Sequence, residues 1–169
     1  MDIAAVGAGY DESIDRSTGA LQAARSQRVS LRRAIAALED ALAAPAAGRT
    51  VDWGQRVTAA LEHLAEVFEL HVAVTERPGG LYDEIIELAP RLANKVDRFR
   101  VEHVEITEAI QAGIARCRAT LTEGGPEDPA TAAHLRERLL LLLARLTRHR
   151  QRGADLVYEA YAVDIGGES

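Results

Sequence analysis

Three histidines of this chain stand on apolar helical stripes, where an imidazole needs a partner. His71 continues Val57, Leu61, Leu64 and Phe68 at three- and four-residue steps. His103 lies between Phe99 and Ile106 in the segment RFRVEHVEI, and His149 follows Leu135, Leu139, Leu142 and Leu146. Such spacing puts each imidazole on the inward face of an amphipathic helix. Neutral imidazoles are the commonest metal ligands, and several together suit iron(II), zinc or manganese. A lone inward histidine is ordinarily a hydrogen-bonded core residue, so the question is whether the three meet. His63 and His134 fall off the stripes and read as solvated.

The elements that must position them are helices. The 169 residues are 47% hydrophobic but only 4% aromatic, which disfavours sheets and suits one all-α domain with a real core. The first helix is expected over 17–43, after an N-terminal extension (1–16). A turn follows at PAAGRT (45–50), and Asp52 with Gln55 reads as a capping box opening the second helix. That helix runs to about Thr75 and breaks at RPGG (77–80), because proline lacks a donor and glycine loses most entropy in a helix. LYDEIIEL (81–88) reads as a short helical piece. Pro90 suits the first position of a third long helix to about Thr122. EGGPEDP (123–129) is the last turn, and a fourth long helix runs from Ala130, followed by a polar tail (163–169). Short connections make neighbours antiparallel, giving an up-down-up-down four-helix bundle over 17–162.

Distance from the turns converts to height at about 1.5 Å per residue. His103 and His149 are nearly equidistant from the last turn, within roughly 2 Å of rise. His71 and Arg28, on the inner stripe of the first helix, are similarly matched about the first turn, to within three residues. The spacing therefore predicts one core layer holding His71, His103, His149 and Arg28.

Other features bound the function. A net charge of −6, with no basic block, gives no support for a nucleic-acid partner. The longest apolar run, 139–144, is too short for a membrane span, and the start MDIAAVGAGYDESIDR is not a secretory signal. The lone Cys117 reads as a small buried core residue, and the expected location is the cytoplasm. No nucleophile with an activating base is readable. Gly153, in the interior of the last helix, leaves room for close approach, and Tyr158 and Glu159 are candidates to line that end of the bundle.

On the segment LHVAVTE with Leu81-Tyr82, the pair Glu102-His103 and the final His149, the chain resembles the hemerythrin-like His-His-Glu cation-binding family over roughly residues 20 to 160. The resemblance implies an up-down bundle with non-haem iron, and a dioxygen, peroxide or nitric oxide ligand or an iron-handling role. The chain departs from that pattern. Arg28 stands where the family has a first-helix histidine, and a guanidinium stays protonated. The family's second-ligand positions hold Thr75, Thr107 and Gly153, none a strong iron ligand. Glu76 and Glu102 are the only carboxylates near the layer, so one metal held by His71, His103, His149 and a carboxylate is expected rather than a di-iron centre. The alternative is a metal-free bundle, a homodimeric interaction or regulatory module, in which Arg28 pairs with Glu102 or Glu76 and the histidines are polar glue.

Overall fold

The computed structural model describes residues 4–47, 49–122 and 129–162, with side chains from residue 19 onward except that of residue 129. All the regular structure among them is helical: α1 (Ala4–Ala43), α2 (Thr50–Glu76), α3 (Leu81–Leu88), a 3₁₀ turn (Pro90–Leu92), α4 (Ala93–Thr122) and α5 (Pro129–Ala162). The long helices pack in the cyclic order α1, α2, α4, α5, which leaves α1 diagonal to α4. No helix among the described residues is long and apolar enough to cross a membrane.

Each long helix buries the stripe its spacing predicts. Val57, Leu61, Leu64 and Phe68 of α2 meet Ile106 and Ile110 of α4 and Leu139 and Leu146 of α5, all nearly inaccessible. Cys117 is buried in this cluster as a free thiol, and burial raises its pKa. The end of α1 is tied down from α5: Arg136 donates to the carbonyls of Leu42 (2.8 Å) and Ala44 (3.0 Å), which α1 itself leaves unpaired. Its guanidinium also lies 5.1 Å from the Trp53 ring centroid.

Several boundaries differ from expectation. α1 begins at Ala4, not Ser17, so the expected extension is largely helical backbone. Glycines and a missing apolar stripe mark weak helix formers, but they do not oblige a helix to stop. α2 begins at Thr50 with Arg49 as N-cap and no side-chain cap, so the Asp52–Gln55 capping box does not form. Asp52 instead sits in the first turn, where a carboxylate favours the positive end of the helix dipole. Pro90 opens a 3₁₀ turn, and the α-helix proper starts at Ala93. The expected last turn lies, apart from Pro129, outside the described residues, as does the tail.

RPGG breaks the chain as expected, with Gly79 at φ 68°, a conformation open to glycine. The amide of Gly79 donates to Asp83 at 2.9 Å. α3 does not prolong α2. It packs against all four long helices as a cap on one end of the bundle. Leu81, Tyr82 and Ile85 of this cap join Ala24, Val96, Phe99, Leu156 and Ala160 in a second apolar cluster, separate from the main core. Between the clusters, in sequence on every long helix, stands one layer residue: Arg28, His71, His103 and His149.

Candidate metal centre

That layer contains the three expected histidines. His71 is 7% exposed, His103 1% and His149 2%, with ring centroids 5.2, 5.6 and 4.9 Å apart pairwise. One ligand atom from each ring lies within 4.8 Å of those of the other two. Phe68 lies within 5.7–5.9 Å of all three rings, and Phe99 is 5.3 Å from His149. Tyr82, reaching in from the cap, stacks on His103 with an interplanar angle of 16°. An apolar, aromatic wall of this kind strengthens every polar interaction inside it.

The outer nitrogens have specific partners. Nδ1 of His103 lies 2.5 Å from Oε1 of Glu76, and Nδ1 of His149 lies 3.0 Å from Oε2 of Glu102. Each Nδ1–H donates to its carboxylate, which leaves Nε2 as the free lone pair. Nε2 of His103 accepts from the Tyr82 hydroxyl at 3.2 Å, and Nε2 of His149 faces Nε2 of His71 at 3.4 Å. Nδ1 of His71 is buried without a hydrogen-bond partner among the described residues.

Electrostatics keeps the rings neutral. Burial, aided by the neighbouring His149 and Arg28, lowers the pKa of His71 to about 3. Burial and the other two histidines lower His103, and burial lowers His149 against the opposing pull of Glu102. Burial raises Glu76 and, more strongly, the Tyr82 phenol, so the phenol stays protonated.

The donor set fits one divalent transition metal. Tetrahedral coordination with bonds of about 2.0–2.1 Å spaces ligand nitrogens about 3.3–3.4 Å apart, close to the 3.4 Å between Nε2 of His71 and Nε2 of His149. A carboxylate or carbonyl on the far nitrogen is the usual support of a metal-bound histidine, and two of the three have it. The second-ligand positions contribute nothing: Thr75 Oγ1 donates to the carbonyl of His71 (2.9 Å) and Thr107 Oγ1 to that of His103 (2.8 Å).

The remaining candidates fall differently. Glu76 and Glu102 contact the histidines' outer nitrogens and lie outside the three-histidine cluster. Glu102 also pairs with Arg152 at the surface. The expected Arg28 partnership with either acid is therefore absent among the described residues. Glu76 turns to α4, diagonal to Arg28, and Glu102 turns to α5. Tyr158 is 75% exposed and away from the layer, while Glu159 pairs with Lys95 at 2.6 Å on the outer face. Tyr161 rather than Tyr158 turns inward, donating to Glu84. The contact of Tyr82 with His103 was not anticipated; Tyr82 entered only as half of the Leu81-Tyr82 pair that follows the helix break. His63 and His134 are exposed, as expected.

No protein-family model matches the chain, and neither a curated protein nor a solved structure does.

Proposed function

We propose that this chain is a divergent hemerythrin-like protein that binds one iron(II), or a related divalent metal, through His71, His103 and His149. One observation carries the reading. Three buried, neutral imidazoles converge within 4.8 Å, and two of them are braced by carboxylates at the opposite nitrogen. Burying three imidazoles is costly unless each lone pair has a use, and shared metal ligation uses them together. When bound, such a metal supplies Lewis acidity or a redox couple. The protein's own residues hold the ring tautomers, exclude water with Phe68 and Phe99, and keep the Tyr82 hydroxyl protonated beside His103. Dioxygen, peroxide or nitric oxide as the ligand follows from the family resemblance. A cytoplasmic location is part of the same reading.

A second reading has its own support. Tyr82, His103 and Glu76 already form a closed hydrogen-bonded chain, as a register-fixing layer in a metal-free interaction module would. The test is a thermal melt with and without iron(II) for the parent, His103→Ala and His149→Ala. Metal-dependent stabilisation of the parent that both variants lose supports the metal protein. Equal melts with and without metal support the module.

A further inference from the structure

A metal held by the histidine layer needs a way in, and the walls around the layer differ. On the α1–α5 side, His71 and His149 border a cavity of only about 30 Å³ whose exposed lining is almost entirely apolar. A dication must shed its water to enter such a space, and burying the bare charge there is costly. At the bundle end, Tyr82 and the apolar residues of α3 close over the layer. The α4–α5 side is open by comparison. A groove of about 430 Å³ lies there, and its wall includes Phe99 and Glu102, both neighbours of His149. Three further carboxylates, Glu105, Asp155 and Glu159, also line it.

Glu102 joins this groove to the layer. Its Oε2 lies 3.0 Å from Nδ1 of His149, and its Oε1 accepts from the Arg152 guanidinium. Nε2 of His149 faces Nε2 of His71 at 3.4 Å, so the His149 ring spans from the groove wall to the meeting point of the imidazoles. Arg152 covers that wall, holding Glu102 and lying 5.8 Å from the Phe99 ring centroid. The Arg152 side chain is 58% exposed against 14% for Glu102, and an ion pair with so exposed a partner is weak and opens often. We propose that a divalent metal ion enters and leaves through the α4–α5 groove, with Glu102 as the first ligand it meets and Arg152 as the latch. When Arg152 swings into solvent, an oxygen of Glu102 is bared to the groove and takes the cation. The cation draws the carboxylate outward and releases Nδ1 of His149, which frees the ring to turn and pass the metal inward. Arg152 thus sets the rate of metal exchange and not the affinity. This inference rests on the three-histidine metal reading.

The test uses zinc and times its exchange. Release is followed as an excess of chromogenic chelator traps the freed ion, and uptake by rapid mixing of metal-free protein with zinc. Affinity comes from chelator competition at equilibrium. Arg152→Met should speed uptake and release by one common factor of about three- to fivefold, the cost of opening an exposed pair, with affinity unchanged within about twofold. Arg152→Lys, which keeps a cation for Glu102, should restore most of the parent's slow exchange. Arg100→Met removes a different arginine, paired with Asp97 and Asp83 and 5.9 Å from the Tyr82 ring centroid, and should change neither rate. Unchanged rates in Arg152→Met overturn the inference, and so does equal acceleration in Arg100→Met, which would put the route at the cap. Faster release with weakened affinity in Arg152→Met also overturns it, since Arg152 would then position Glu102 as a brace of His149. Each of these results leaves the metal reading standing. A parent that binds no zinc overturns this inference and the metal reading together.

Discussion

The carboxylate of Glu76 lies 2.5 Å from Nδ1 of His103, so a residue at the end of α2 sets the tautomer of one in the middle of α4. The contact aims Nε2 of His103 toward the other two rings and raises its basicity, as an outer carboxylate does for a metal ligand. Replacing Glu76 with Gln, or Glu102 with Gln, should lower zinc affinity about 10–100-fold while the helical content is unchanged. Glu105→Gln, which removes only the half-exposed partner of Arg145, should have no effect on it. Unchanged affinity in Glu76→Gln would show that the carboxylates serve the fold alone.

The neutral histidines imply a defined acid sensitivity. Folding depresses the pKa of His71 to about 3 and also lowers His103 and His149. The unfolded chain therefore binds more protons below the ordinary histidine pKa of about 6.5. Metal-free protein should lose stability as pH falls from about 6.5 toward 3, by at most about 1.4 kcal/mol per pH unit for each histidine. Glu76 acts oppositely, since its raised folded pKa gives stability that fades as pH rises through it. One part-exposed carboxyl does not reverse the slope of three buried imidazoles. Urea unfolding between pH 4.5 and 7.5 checks this, and a flat profile below about pH 6.5 would contradict it.

Tyr82→Phe separates the two readings of the layer. The hydroxyl occupies Nε2 of His103, the lone pair a metal needs. Its loss should cost metal-free protein about 0.5–1.5 kcal/mol, the ordinary net value of a hydrogen bond. It should also tighten metal binding, because Nε2 no longer gives up a partner. Chemical denaturation and chelator competition measure the two quantities. Weaker metal binding in Tyr82→Phe would mean that the hydroxyl helps to hold the metal or its ligand.

Arg28 offers a further pair of substitutions. With no acidic partner among the described residues, Arg28→Met should not cost the roughly 3–5 kcal/mol of a broken buried ion pair, and a change within about 1 kcal/mol is expected. Arg28→His places a fourth imidazole on the layer from α1 and should raise the metal-dependent gain in melting temperature above that of the parent. A large loss in Arg28→Met would reveal a counter-ion.

The layer was legible because height along a bundle is set by residue count from a short turn, and helix rise is constant. That reasoning placed His71, His103, His149 and Arg28 together without any contact being known. Height alone does not fix what the acids touch. Glu76 stands about 140° round from His71, and Glu102 about 100° from His103. Those angles point each side chain at a neighbouring helix, and the outer edge of a histidine ring is what lies there. The Arg28 pairing failed for a related reason: the nitrogens of His103 and His149 take the carboxylates first. The bond from Tyr82 to His103 was unreadable because its reach depends on how α3 folds over the bundle end, which no periodicity encodes. The start of α1 was missed because an apolar stripe marks where a helix packs, not where it begins.

The central claim is tested most directly by counting metal. Protein made without an affinity tag is loaded anaerobically with iron(II), desalted, and analysed for metal per chain alongside its visible spectrum. The account predicts one tightly bound iron per chain and no oxo-to-iron band, since Thr75 and Thr107 are turned to backbone carbonyls and Gly153 has no side chain. No retained iron, or two irons with such a band, would contradict it.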